Sequence, residues 1–276
     1  MSSKSIWDKL QTIDRRVFYW ILFVTLMIPY LRPIGFPITI NPPPKGIYDE
    51  LSTVQPGDVI LLSINSGVSA WGDCLPAMVA CIRMLADQGA HIIVWGMGHT
   101  DVDITWQEIM DRSPELDDYV YGEDYAYFGY LPNQETTIAL LGDDIRAVFS
   151  LDRYGTPIDD LKIMEDVNGA KDFRLMLSSD TGDVQGYYIR QWGVRYGTAI
   201  GSIGIAMNAS GDLPFFLSGD LFGLSGGSRG GAELEQLTGK PGQAITTMDA
   251  ISVSHLLVVF AIILANVGYF VTRRKK

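Results

Sequence analysis

Four aspartates, Asp73, Asp101, Asp103 and Asp180, stand where strands are expected to hand over to helices. Oxygen ligands gathered there suit calcium or magnesium, and a metal so held would support assisted hydrolysis. The same turns carry neutral hydrogen-bonding groups: Asn65-Ser66-Gly67, Gly98-His99-Thr100, Thr181 and Asn208-Ala209-Ser210. Together they describe a polar, partly acidic rim. The ligand-binding candidates are therefore Asn65, Ser66, His99, Asp101, Asp180, Thr181, Asn208 and Ser210, joined by Arg229 from the glycine stretch taken next, and the metal candidates are the four aspartates. The D-x-D-x-D-G spacing of a calcium loop is missing, however, and Asp and Asn are ordinary turn residues. Plain turn and capping chemistry is the preferred reading, and no resident cofactor is expected beyond that possible calcium or magnesium.

A second stretch, FGLSGGSRGGAEL (Phe222–Leu234), fits the G-x-S-x-G pattern of a hydrolase nucleophile elbow at Ser225. An elbow needs its acid and histidine later in the chain. The only later histidine, His255, falls inside an apolar segment, and His91 and His99 come too early. A Walker loop needs Gly-Lys-Ser/Thr, which is absent. What remains is a backbone anion nest over Gly226–Gly230 with Arg229, ahead of a helix over Gly231–Leu237. Glu233 and Glu235 would then answer the positive end of that helix. Close backbone packing is preferred over the nest. Asp180-Thr181-Gly182 matches an aspartic-protease triplet, but it leaves a strand and enters a helix, where Thr181 or Asp183 serves as N-cap. Cys74 and Cys81 lie about 10 Å apart on one helix face, too far for a disulfide, and are expected to be buried thiols.

These residues need a scaffold. DVILLSI (Asp58–Ile64), HIIVWGM (His91–Met97), FRLMLSS (Phe173–Ser179) and IGSIGIAM (Ile200–Met207) read as buried strands. Helices are expected over Asp73–Gln88, Thr105–Arg112, Gln134–Phe149 (as one or two) and Asp183–Tyr196. INPPPKG (Ile40–Gly46) reads as a stiff extended segment, followed by a short helix in GIYDELSTV. The tyrosine-rich Tyr119–Pro132 is left open between a ligand or partner surface and a loop packed on the core. Strands alternating with helices give an α/β fold, a mostly parallel sheet with helices on both faces, Rossmann-like or flavodoxin-like.

Two apolar segments flank this domain. Ile251–Thr272 holds 22 residues without a formal charge and is followed by RRKK. About 20 apolar residues cross the hydrocarbon. Val17–Leu31 is shorter, but IGFPITI (Ile34–Ile40) extends its apolar character, and no small-x-small cleavage pattern follows Leu31. The expected organisation is a cytoplasmic tail (1–16), a transmembrane helix (17–38), an extracytoplasmic α/β domain (39–248), a second transmembrane helix (249–272) and a cytoplasmic end (273–276). Lys4, Lys9, Arg15 and Arg16 before the first helix and Arg273, Arg274, Lys275 and Lys276 after the second place both termini inside. Residues 34–248 hold 12 Lys+Arg against 29 Asp+Glu. Such an acidic surface repels nucleic acid. Ala261 and Ala265, four apart, favour close helix contact, and Asn266 offers a hydrogen bond across helices. Partners expected are the lipid bilayer and a second copy or other membrane-protein subunits. Asn208-Ala209-Ser210 also fits a glycosylation sequon.

YGEDYAYFGYLP, SGDLFGL and GGSRGGAELE, with the two-anchor layout, resemble a group of uncharacterised prokaryotic two-span membrane proteins. The resemblance implies the topology and no reaction. The function expected from the residues is a non-enzymatic, membrane-anchored ligand-binding or scaffold module. A metal-assisted hydrolase using the acidic rim and a ligand sensor are the alternatives.

Overall fold

Runs of Val, Ile and Leu too apolar to face water on either side become a sheet covered twice. Val59–Asn65 (β1), His91–Met97 (β2), Tyr125–Leu131 (β3), Leu175–Asp180 (β4), Ala199–Gly204 (β5) and Gly223–Gly226 (β6) form one all-parallel sheet, ordered β3-β2-β1-β4-β5-β6. Parallel strands need crossovers, which bring helices over the faces. In β1, Ile60, Leu62 and Ile64 join one core while Leu61 joins the other. β1 pairs with both β2 and β4, so the order reverses between β1 and β4.

The computed structural model describes residues 14–132, 135–182 and 184–273, without the side chain of Thr272. The helices are α1 (Arg15–Leu31), α2 (Pro42–Leu51), α3 (Trp71–Asp87), α4 (Val102–Asp111), α5 (Glu135–Asp143), α6 (Val184–Tyr188), α7 (Val194–Tyr196), α8 (Ala209–Ser218), α9 (Gly227–Thr238) and α10 (Gln243–Arg273). A π-helical turn, Ile189–Gly193, joins α6 to α7. Lys4, Lys9, Asp183, Gln134, Arg274, Lys275 and Lys276, on which parts of the sequence reading rest, lie outside the described residues.

The chain divides into two units, residues 38–244 and residues 1–37 with 245–276. The first is the α/β domain. Two helical stretches among the described residues are long and apolar enough to cross a membrane, Val68–Asp87 and Gln243–Val271. The first has 61% of its apolar window buried and is a core helix of the domain, with Cys74 and Cys81 as free buried thiols. Gln243–Val271 has only 6% buried. In the second unit, α1 spans 17 residues and exposes Trp20, Phe23, Val24 and Ile28. There the buried Asp249 carboxylate accepts the backbone N–H groups of Ile34, Gly35 and Phe36 at 2.8, 2.8 and 3.0 Å. Asn266 Nδ2 donates to the Ile262 carbonyl of its own helix at 2.8 Å.

Four local expectations are corrected. The prolines of INPPPKG open α2, because the first N–H groups of a helix have no internal acceptor and proline gives up nothing there. The tyrosine-rich stretch supplies an edge strand, β3, whose middle is buried. The glycine stretch contains β6, and Ser225 lies inside that strand, fully buried, and not on an exposed turn. Helix α9 starts at Gly227, so Glu233 and Glu235 sit beyond its first turn. Of its glycines, Gly227 has φ +63°, while Gly226 and Gly230 have negative φ and serve close approach. A Cβ on Gly226 would meet the Ala209 Cβ at 2.5 Å, and one on Gly230 the Ser225 Oγ at 2.6 Å.

The two glutamates tie the chain together. Glu233, 1% exposed, accepts the backbone N–H and the side-chain amide of Asn41, both at 2.7 Å, and pairs with Arg229 at 3.0 Å. Asn41 immediately precedes α2. Glu235 accepts the N–H groups of Gly242 and Ala244 at 3.0 and 2.9 Å, where α10 begins.

Candidate functional site

The loops at the carboxyl ends of the strands bring some of the candidates together and commit others to structure. Around the reversal of strand order, Asn65 is buried. Its Oδ1 accepts the Met97 N–H at 2.9 Å and its Nδ2 donates to Ser178 Oγ at 3.1 Å, knitting β1 to both neighbours. The Ser66 and Ser179 hydroxyls hydrogen-bond each other beneath the rim. Burial, with the Asp73 charge added, pushes the neighbouring Cys74 thiol up to about 12. Above them His99 Nε2 meets Thr181 Oγ1 at 3.0 Å, spanning the β2 and β4 loops. Asp101 Oδ2 accepts the Val68 N–H at 2.8 Å.

The four aspartates do not converge. Among the described residues no group of three or more His, Cys, Asp or Glu is placed to hold a metal ion. Asp103 faces Arg153 at 2.8 Å and accepts the Tyr127 hydroxyl, and the Arg153 hydrogen bond holds its carboxyl below the usual range. Asp73 accepts the backbone N–H groups of Ala206 at 3.1 Å and Ser228 at 3.3 Å. The N-terminus of α9, expected as an anion nest, thus has the chain's own carboxylate against it. Arg229, the cation of that nest, is the partner of Glu233.

Asp180 sits at the end of β4, buried, and caps α6. Its Oδ1 accepts the Gly182 N–H at 2.8 Å and its Oδ2 the Gln185 N–H at 3.0 Å. Burial raises its carboxyl above the ordinary value despite those bonds, with a smaller push from Asp212. Asp180 therefore fixes the first turn of a helix whose inward stripe runs Gln185, Tyr188, Ile189, Trp192 at helical spacing. Tyr188 closes a buried polar cluster, its hydroxyl 2.9 Å from Ser63 Oγ and 2.8 Å from Trp95 Nε1.

Beside that turn lies a cavity of about 620 Å³, walled by Gly182, Gln185, Tyr187 and Arg190 on one side and by Asn208, Ser210, Asp212 and Phe215 on the other. Two candidates from the sequence, Asn208 and Ser210, line it, and Asp180 supports its wall. Arg190 is held in place by two 3.0 Å hydrogen bonds to Glu135, which it draws down to about 2. Asp212 accepts Ser202 Oγ at 3.0 Å, and burial raises its carboxyl. Gln185 is only 2% exposed, and neither its amide oxygen nor its amide nitrogen finds a partner among the described residues. A volume of this size lies within the range of small-molecule sites. Its donors and acceptors suit a small polar molecule.

Gln185 and Asp212 were not picked out from the sequence. The signal for Gln185 was present: a polar amide at an inward position of an apolar stripe. Asp212 carried none, being one more aspartate near a helix start. The class defined here is a parallel α/β domain with a polar cavity at the carboxyl edge of its sheet. No protein-family model matches the chain, and no curated protein matches it.

Proposed function

We propose that the chain is a membrane-anchored, extracytoplasmic α/β module that binds a small polar ligand between α6 and α8, as a subunit of a membrane assembly. The observation that carries this reading is the 620 Å³ cavity itself, together with the Gln185 amide beside it, which has no partner among the described residues. Each buried polar group left without a partner costs about 1–3 kcal/mol, and a rotation of the Gln185 side chain toward a ligand in the adjoining cavity would recover that cost. The location is supported by the rule that open α/β sheets bind ligands outside the carboxyl ends of their strands, here beyond β4 and β5, one strand over from the reversal between β1 and β4. Anchoring is supported by the exposed apolar surfaces of α1 and α10, the sidedness by Arg15, Arg16 and Arg273 at their outer ends, and assembly through the membrane by Ala261 and Ala265.

The test is native mass spectrometry of the full chain in a detergent without a sugar headgroup. A small molecule should travel with the wild type and be lost from Gln185→Leu. Wild type without a bound molecule, or the same molecule retained by Gln185→Leu, defeats the reading.

A further inference from the structure

Away from the carboxyl-edge cavity, α4 and the edge strand β3 enclose a groove of about 590 Å³, lined by Trp106, Met110, Tyr125, Tyr127, Arg153 and Tyr154. Its floor is a stack: the Trp106 and Tyr127 rings lie 6.2 Å apart at 29°. Its outer wall is Tyr154, 67% exposed, held edge-on to Tyr121 at 5.1 Å and to Tyr127 at 6.4 Å. A tyrosine ring two-thirds exposed yet held at a steep angle by two other rings is a fixed aromatic surface and not a packed core residue.

The loop that presents the platform is locked. Asp152 accepts the N–H groups of Tyr154 at 2.8 Å and Thr156 at 2.7 Å, and the Arg153 N–H donates to the Tyr127 carbonyl at 3.0 Å. Gly129, at φ +77°, lets the Arg153 side chain lie across β3, where a Cβ would meet the Arg153 Cδ at 2.7 Å. Arg153 then grips Asp103 with three hydrogen bonds of 2.8–3.1 Å. That pair presents donors and acceptors side by side with no net charge. In the floor, the Trp106 indole N–H finds no acceptor among the described residues.

The chemistry selects the occupant. The Asp103–Arg153 pair offsets its own charge and calls for no ionic partner, and the other charge in the lining, Asp111, is exposed to solvent. An added peptide strand is disfavoured because the Arg153 N–H already takes a β3 edge carbonyl. A neutral sugar ring meets every feature: its C–H face stacks on Tyr154, and its adjacent hydroxyls bridge the Asp103–Arg153 pair. We infer that the α4–β3 groove binds a neutral saccharide, with Tyr154 as the stacking platform and Asp103–Arg153 as the hydroxyl clamp.

The test uses the full chain in a detergent without a sugar headgroup, titrated calorimetrically with maltotriose, cellotriose and chitotriose. At least one should bind with a Kd near or below about 1 mM. Tyr154→Ala should weaken it about tenfold or more, Tyr154→Phe should restore it, and Gln185→Leu should leave it unchanged, which separates this site from the carboxyl-edge cavity. No binding of any of the three at about 10 mM, or binding undiminished in Tyr154→Ala, overturns the inference. So does a basic peptide that binds the groove while the sugars do not.

Discussion

The α/β domain buries polar side chains in two regions and treats them in opposite ways. Beyond the first turn of α9, Glu233 and Glu235 give their oxygens to backbone amides and, for Glu233, to Asn41 and Arg229. At the carboxyl edge, Gln185 is buried to the same degree and its amide has no partner among the described residues, next to Asp212 and Asp180, whose carboxyls burial pushes up. Burial alone therefore does not separate structure from function. Satisfaction does. A buried charge with all its bonds fixes where chain segments meet, whereas a buried amide without bonds lowers stability unless a ligand completes it.

The largest effect should come from breaking the satisfied region. Glu233→Ala leaves the Asn41 amides and Arg229 without their acceptor and should lower the unfolding free energy by about 3–5 kcal/mol. Chemical denaturation measures this. A loss below about 1 kcal/mol would place Glu233 with the ordinary surface carboxylates.

Acid should sharpen the contrast next. Burial opposes ionisation of Glu115, but hydrogen bonds from Arg83 and Lys240 win and lower it from 4.5 to about 2. A lowered carboxyl contributes stability above its unfolded pKa and loses it as pH falls through the folded one. Solvent around the cluster screens part of this contribution. Wild type should therefore lose on the order of 1 kcal/mol more than Glu115→Gln between pH 4.5 and 2. Asp180 and Asp212 carry the opposite sign. Their raised carboxyls favour the fold below their unfolded pKa, and that contribution is lost as pH rises through their folded pKa. Asp212→Asn should accordingly become more favourable relative to wild type as pH rises to neutrality. An acid titration of both variants decides the signs, and parallel curves would erase the distinction between the regions.

Much of this was legible in the sequence because doubly covered parallel strands are continuous apolar runs. HIIVWGM gives β2 with its observed bounds, and β1, β4 and β5 fall within two or three residues of the expected ones. β3 was missed because YAYFGYL is interrupted by glycine and carries hydroxyls that looked like surface. β6 was missed because GLSG has no strand-forming residue but Leu224. Its glycines instead let α2 and α8 approach, a tertiary fact no local pattern encodes. The same limit governs the site. Asn208 and Ser210 followed from the rule that ligands bind at the carboxyl edge, and they line the cavity. The pairing of Asp103 with Arg153 joins positions 50 apart in sequence and was invisible.

The most direct measurement is the stability of ligand-free Gln185→Leu. Leucine keeps the shape and removes two buried groups that have no partners among the described residues, so the account predicts a gain of about 1–2 kcal/mol in unfolding free energy together with loss of the bound molecule. A fall in stability of similar size would mean that the Gln185 amide is satisfied within the fold, and would contradict the assignment of the cavity as a binding site.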